Sequence, residues 1–565
     1  MKTIESRAET LPVVEKSSNL HNEYEQPVFS RRETLFTMYG VLMVMLLASL
    51  DQTIVSTAMP DIIASLNGFS EYTWVTTAYL LTSTVMVPIY GKLSDIFGRK
   101  PIFMIGVTVF LIGSALSGVS QTMLQLILFR GFQGIGAGAL MPIAMTVVGD
   151  LFTARERGKW QGITGAIFGL SAILGPTLGG WISDNFTWRW VFYVNLPIGI
   201  VAMLVLIFLM PQLHAKNRNV TIDYIGCVLI ALGTVPLLLG FTWAGTTYPW
   251  VSWQTLSLIG SGVVVLGLFV LYEIQLERRN GQPIIEMTLF RNSIFSVSSL
   301  VTVVFGMGLF GSVAFIPLFV QGVVGSSATN SGVILMPLML TAMASSIVSG
   351  QLVSRFGKYK WLTIVSMAIS VAGTYLLYNL TAHSGNFDVV IAMLVLGFGM
   401  GVGMSLYTLI VQNALPDKMA LATSSLTFFR QIGATIGLAA MGSLMVSTFP
   451  TAFTTALPAA VARVLPAAAL AKLSDPNAML NPVGPAAGGS QAFKDPQIAT
   501  MILNTMKQAL AESIHSVFVF CLLIMVVGLI SVFFLKEVKL NDKKRSTEAR
   551  NESEEVMESS LAGML

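Results

Sequence analysis

Two charged side chains fall in stretches otherwise suited to hydrocarbon: Asp51 in MLLASLDQTIVSTAMP (45–60) and Arg130 in LFRGFQGIGAGALMP (128–142). A carboxyl group deprived of water favours its neutral form, and an approaching guanidinium favours the ion again. An acid that alternates between those surroundings takes up and releases protons. That is the chemistry expected of Asp51; the alternative is an Asp that caps a local break or bonds to Thr53. Arg130 costs at least about 2.5 kcal/mol to place at depth, so it must face protein or water and find a partner. A structural Arg satisfying helix carbonyls is the competing reading. The glycines that follow Arg130 suggest a nucleotide loop only superficially, because no strand precedes them and small residues here let helices approach closely.

Other acids, among them Asp61, Asp150, Asp223, Glu273 and Asp388, lie near the ends of apolar runs, which leaves Asp51 as the deep one. Asp95 and Arg99 in GKLSDIFGRK (91–100) are spaced to make contacts that exist in one conformational state and not in another. Gly91 and Gly98 in the same loop permit a tight turn against a neighbouring helix. The loop reads as a latch, with Arg430 or the N-terminal end of the segment that carries it as the partner of Asp95; solvated charges that merely enforce loop topology are the alternative. In GAIFGLSAILGPTLGG (165–180), Pro176 removes a helix hydrogen bond, and Gly175, Gly179 and Gly180 thin the helix for a close interface with the other half of the chain. The four histidines never approach ligand spacing and the two cysteines fall within apolar runs, so no metal site or disulfide is expected.

The elements that must hold these residues are membrane helices. Of 565 residues 54% are hydrophobic and only 11% charged, too few charges for a soluble chain. Apolar runs of spanning length place fourteen helices near 34–58, 72–91, 101–119, 123–149, 160–182, 190–210, 223–243, 255–276, 294–320, 330–353, 361–380, 389–413, 424–447 and 513–536. With both termini cytoplasmic, 26 of the 33 Lys and Arg residues fall on the inside and five on the outside, which supports that orientation. Residues 1–33 and 537–565 are expected to be polar cytoplasmic tails, the first without a signal peptide. Residues 34–210 form a first six-helix half, 211–293 a linker with two extra helices, and 294–536 a second half with an extracellular loop at 448–512. That loop reads as two short amphipathic helices about a Gly/Pro turn. No nucleic-acid partner is expected.

An internal repeat ties the halves together. GQLVSRFGKYK (350–360) matches GKLSDIFGRK at an offset of 259 residues, and GLAAMG (437–442) matches GLSAILG (169–175) more loosely. Duplicated halves about a central site are characteristic of secondary transporters that expose the site alternately. Ser354 stands where the first loop has Asp95, so only one half offers a carboxylate there.

These stretches together resemble the major facilitator superfamily, specifically its fourteen-span drug:proton antiporter branch of the EmrB/QacA type. LDQTIVSTAMP, GKLSDIFGRK, the Arg130 stretch, the 165–180 stretch and WRWVFYVNLPIG (188–199) carry the resemblance. It implies an all-helical fold, proton transfer involving Arg130, and export rather than uptake through the 165–180 signature. It implies no enzymatic activity and no cofactor beyond the proton gradient. The expected cargo is hydrophobic or cationic and drug-like; an exporter dedicated to one lipid or secondary metabolite is the alternative, and a channel or scaffold is disfavoured by the repeat. Some multi-cation exporters of this branch have an acid where this chain has Thr77, and others carry acids in spans ten and thirteen, where this chain has none, which counts against a dicationic cargo. Thr77, Gln133, Phe305, Met307 and Phe310 are the candidate cavity residues. The resemblance implies a monomer in a prokaryotic plasma membrane and permits an accessory periplasmic protein.

Overall fold

The computed structural model describes residues 30–66, 72–211, 222–245, 247–324, 328–382, 384–462 and 496–538, with Leu465, Leu470 and Leu473 between the last two. Most of both expected tails, His21, His214, His383, and much of the expected outer loop lie outside the described residues.

Fourteen long helices cross the described chain: α1 Arg31–Leu66, α2 Tyr72–Phe97, α3 Arg99–Val119, α4 Met123–Leu151, α5 Ala154–Asn185, α6 Trp190–Leu209, α7 Tyr224–Trp243, α8 Trp253–Arg278, α9 Ser293–Phe319, α10 Ala328–Phe356, α11 Lys360–Tyr378, α12 Asn386–Ala414, α13 Met419–Ala456 and α14 Pro496–Phe533. Their starts follow from local chemistry. Thr122 accepts from the Gln125 N–H and Ser252 from that of Thr255, while Thr153 and Glu156 form a reciprocal capping box. Each cap satisfies a donor that the first helical turn leaves orphaned.

The two halves repeat one packing scheme. α2 and α3 pack on α4, and α1 on α5 and α6; correspondingly, α10 and α11 pack on α12, and α9 on α13 and α14. The halves meet where α5 lies along α10 and, in the equivalent place, α2 lies along α13. α7 and α8 pair with each other, and α7 reaches α13 and α2 from outside the halves.

The repeated loops do equivalent work. Gly98 has φ 93° and Gly357, its counterpart, φ 68°, a conformation that side chains other than glycine's disfavour. Two residues later, Lys100 Nζ donates to the Ile207 and Met210 carbonyls at the end of α6. Tyr359, the matching position, donates through Oη to the Lys536 carbonyl at 3.1 Å and accepts from the Val538 N–H at 2.8 Å, just past α14. Burial pushes the Tyr359 hydroxyl above the ordinary phenol range, so it remains a donor. Thr37 Oγ1 bonds to the Leu209 carbonyl nearby, and Arg155 bonds across to the carbonyls of Ser354 and Arg355. Both ends of the described chain therefore leave from the face that carries the two repeated loops.

Three helices exceed the expected spans by eight residues or more at one end. α1 continues to Leu66, α13 to Ala456, and α14 begins at Pro496, so the second short helix expected in the outer loop is the first part of α14. α13 and α14 have 38 residues each, about 57 Å of helix against a hydrocarbon layer of about 30 Å. Phe449, Phe453, Ile502, Met506 and Leu510 are buried along these extensions, in one core with the rest of the second half. The extension is held by its own apolar seam, which a search for runs of spanning length does not register.

Candidate functional site

Asp51 and Arg130 meet. Arg130 Nη1 donates to Asp51 Oδ2 at 2.8 Å, and the two side chains are 2% and 0% exposed. Gln133, one helical turn beyond Arg130 on α4, donates to Asp51 Oδ1 at 2.9 Å and accepts from Arg130 at 2.7 Å. Asn195 on α6 donates to the same Oδ1 at 2.8 Å and to Ser114 of α3 at 3.0 Å. The carboxylate thus receives three donors from two helices, which is the arrangement of an ionised acid accepting charge-assisted bonds. Tyr79 of α2 completes the enclosure, its ring centre 4.2 Å from the guanidinium carbon of Arg130.

Gly134, Gly136 and Gly138 explain how α4 brings Arg130 so close to its neighbours. Added side-chain carbons there would strike Tyr79 and Thr82, Phe110 and Gly106, and Ser83 and Met86 respectively. The glycines allow α2 and α3 to press on both sides of α4 and seal the pair from solvent. Solvent therefore reaches Asp51 only when those helices, or α1 and α6, shift.

The latch region differs from expectation in its partners. Asp95 pairs with Arg99 of its own loop at 2.6 Å, and Arg99 Nε pairs with Asp150 at the end of α4 at 2.8 Å; Arg430 is not the partner. Arg99 opens α3 just past the Gly98 turn that ends α2, which brings it back to Asp95, so the local pair leaves Arg430, deeper on α13, without that role. It is Gly91 that meets the N-terminal end of α13, where a side-chain carbon would strike Ser424. Lys92 adds a tie to the linker, donating to Gln282 at 3.0 Å, and Lys418 pairs with Glu286.

Gly175 and Gly179 pack on Thr53, Ile54 and Thr57 of α1, within their own half, and not on the other half as expected; Gly180 has open space beside it. Pro176 lies between them, inside α5. The contact with the other half uses a different face of α5, where Gly158 meets Gly350, Gly162 and Gly165 meet Ser346, and Gly169 meets Met339. Ten residues separate Gly165 from Gly175, which turns the helix by roughly 80° from whole turns and so puts the two glycine stripes on different sides. At the same end, Gln412 of α12 donates to the Met145 carbonyl at 3.0 Å, closing the halves together.

Of the cavity candidates, Gln133 belongs to the Asp51 network, Phe305 lines a pocket with Arg430, Met307 packs on Gly437 of α13, and Thr77 is half-buried on α2. The side chain of Phe310 lies outside the described residues. Asn195 and Tyr79 are functional candidates that the sequence reading missed. Asn195 carries a usable signal, as an amide inside an otherwise apolar run; Tyr79 carries none, since aromatic residues are common throughout.

Comparison with known proteins places this geometry among relatives. The profile described as Major Facilitator Superfamily matches residues 41–438. Multidrug transporter protein MdtP of Bacillus subtilis (strain 168) is 38% identical over 532 residues, covering 93% of this chain and 96% of the relative. Multidrug resistance protein 3 of the same organism is 35% identical over 519 residues, covering 92% and 98%. Among solved structures, the human organic anion transporter MFSD10 superposes with a TM-score of 0.58 at 12% identity, covering 90% of this chain and 100% of that one, a likeness of fold alone.

Proposed function

Because the chain belongs to the Major Facilitator Superfamily and is a multi-pass membrane transporter rather than an enzyme, we propose that it is a proton-coupled antiporter. Its cargo would be hydrophobic or cationic drug-like compounds, exported by alternating access. Two relatives of nearly the same length are named for multidrug transport or resistance, which supports the cargo class. The observation that carries the coupling is the sealed Asp51–Arg130 pair. Protonation of Asp51 removes the charge that holds Arg130, Gln133 and Asn195, and so loosens the junction of α1, α4 and α6. A proton thereby becomes a differential ligand of two conformations, which is the requirement for coupling.

With both termini cytoplasmic, the end closed by Arg155, Gly158–Gly350 and Gln412 is the cytoplasmic one. Arg99 bridging Asp95 and Asp150 then keeps the 91–100 loop in shape while Gly91 rests on α13. Opening toward the cytoplasm would separate those contacts, so they favour the state described here. The protein works as a monomer in this reading, with protons and small apolar solutes as its only obligatory ligands.

The test is transport in proteoliposomes. Asp51→Asn is expected to lose uphill, gradient-driven export while retaining downhill exchange of substrate. Uphill export by Asp51→Asn at the normal rate would refute the assignment of the coupling site.

A further inference from the structure

Among the described residues Arg430 has no counter-charge. It is half-buried on α13 and lines a pocket between α9, α12 and α13 together with Phe305, Gly403, Tyr407, Leu426 and Thr427. Among the described residues no ion pair engages Arg430, in contrast to Arg99, Arg130 and Lys418. The surrounding helices cannot supply one: α9 and α13 contain no acid, and the single acid of α12, Asp388, stands in its first turn. Asp95 is already committed to Arg99. A cation at membrane depth is retained where it faces a cavity or takes a partner.

A second, independent feature points the same way. Tyr407 is 4% exposed, and its hydroxyl is buried without a hydrogen-bond partner although it lines the same pocket. A phenol hydroxyl without a partner and a guanidinium without an ion-pair partner, both lining one space, are complementary to an acceptor-rich anion. The remaining wall combines Phe305, Met404 and Leu426 with Thr302, Thr408 and Thr427. Gly403 allows the Phe305 ring to lie against the backbone of α12, where an added carbon would come within 2.8 Å of Cε2. The contrast with the first half is chemical: there the Arg arrives already neutralised by Asp51, whereas here it awaits a charge.

We propose that this pocket is a binding site for amphiphilic anions, molecules with a carboxylate or a comparable anionic group on an apolar body. The anionic group pairs with Arg430 and accepts from Tyr407; the enclosed space between them is of about that size, so the apolar body leaves it past Phe305 and Leu426. A cationic compound is repelled from this pocket and, where it is carried, binds elsewhere in the cavity. The inference deepens the transporter reading by naming a substrate class, and it depends on that reading only for the fate of the bound molecule.

The test is equilibrium binding to the full chain in lipid nanodiscs, with empty nanodiscs as the blank and no proton gradient. Three probes share one fluorescent body: 1-pyrenebutyrate, 1-pyrenebutanol and pyrenebutyltrimethylammonium. The wild-type protein is expected to bind the acid about ten-fold or more tightly than the alcohol, the margin of a charge-assisted bond, and to bind the ammonium no better than the alcohol. Arg430→Gln is expected to bring the acid down to the level of the alcohol and leave the alcohol unchanged; Arg430→Lys is expected to keep most of the preference. Equal affinity for acid and alcohol in the wild type overturns the proposal without recourse to any variant. Loss of both probes together in Arg430→Gln, with Arg430→Lys equally impaired, also overturns it. Failure of gradient-driven export would refute the coupling reading and leave this binding result standing, so the two are separable.

Discussion

Replacing Asp51 by Asn changes few atoms and reverses the chemistry of one contact. Gln133 and Asn195 both donate to Oδ1, which an Asn carbonyl can keep, whereas Oδ2, the acceptor of Arg130, becomes an NH2 group set against Nη1. Removing one partner of a buried ion pair costs about 3–5 kcal/mol, because the other charge stays buried and unpaired. The Tyr79 ring, 4.2 Å from Arg130, supplies about 2 kcal/mol of cation–π attraction in a desolvated setting, but it does so with or without Asp51 and offsets nothing. Arg130→Gln removes the charge from the other side and leaves Asp51 buried with two amide donors. The double variant Asp51→Asn/Arg130→Gln buries no charge and loses hydrogen bonds worth about 1 kcal/mol each. The double-mutant cycle is therefore expected to show a favourable coupling of at least about 2 kcal/mol, with the double variant more stable than the sum of the singles allows. Reversible unfolding in mixed micelles measures it. Additivity of the two substitutions within about 0.5 kcal/mol would mean that the pair is not a buried ion pair in the folded protein, and the coupling mechanism built on it would fall.

Other perturbations probe the rest of the molecule. Arg99→Lys keeps the charge but cannot span Asp95 and Asp150 with a planar fork, so a loss of about 1–2 kcal/mol is expected, read as a lowered melting temperature. Gly158→Val pushes side-chain carbons toward the Gly350 carbonyl and should prop α5 from α10; the readout is faster maleimide labelling of a Ser346→Cys reporter, buried in the native contact, and unchanged labelling would refute the interface assignment. Phe453→Ala, in the seam of the α13 and α14 extension, is expected to cost about 3–5 kcal/mol, as for a well-packed core Phe; a cost under about 1 kcal/mol would mean the seam is loose.

Hydropathy made fourteen helices legible because each must solvate its backbone within lipid, and the repeated loop made the halves legible. Asp51 and Arg130 stood out as charges out of place, but their pairing did not, since 79 residues separate them and either could have served a structural role. The network around them was less legible still. Asn195 joins from a helix 144 residues away, and only folding shows that its amide and that of Gln133 converge on one oxygen. The glycines of α5 were recognisable as contact-makers, yet a helix presents all its faces in one string, so the stripe that meets α1 was taken for the one that meets α10. Arg430 was expected to answer Asp95 because opposite charges suggest a pair; the local spacing of Arg99 had already supplied that partner.

The matched grips of Lys100 and Tyr359 make the polypeptide ends convenient markers of mechanical state. The chain enters through Thr37, bound to the end of α6, and leaves through Val538, bound to Tyr359, so each end is tied to its own half. Two dyes attached just outside these ties would ride on the two bodies separately. Their energy-transfer efficiency would then follow the opening angle of the transporter in single molecules, with no label placed inside the bundle.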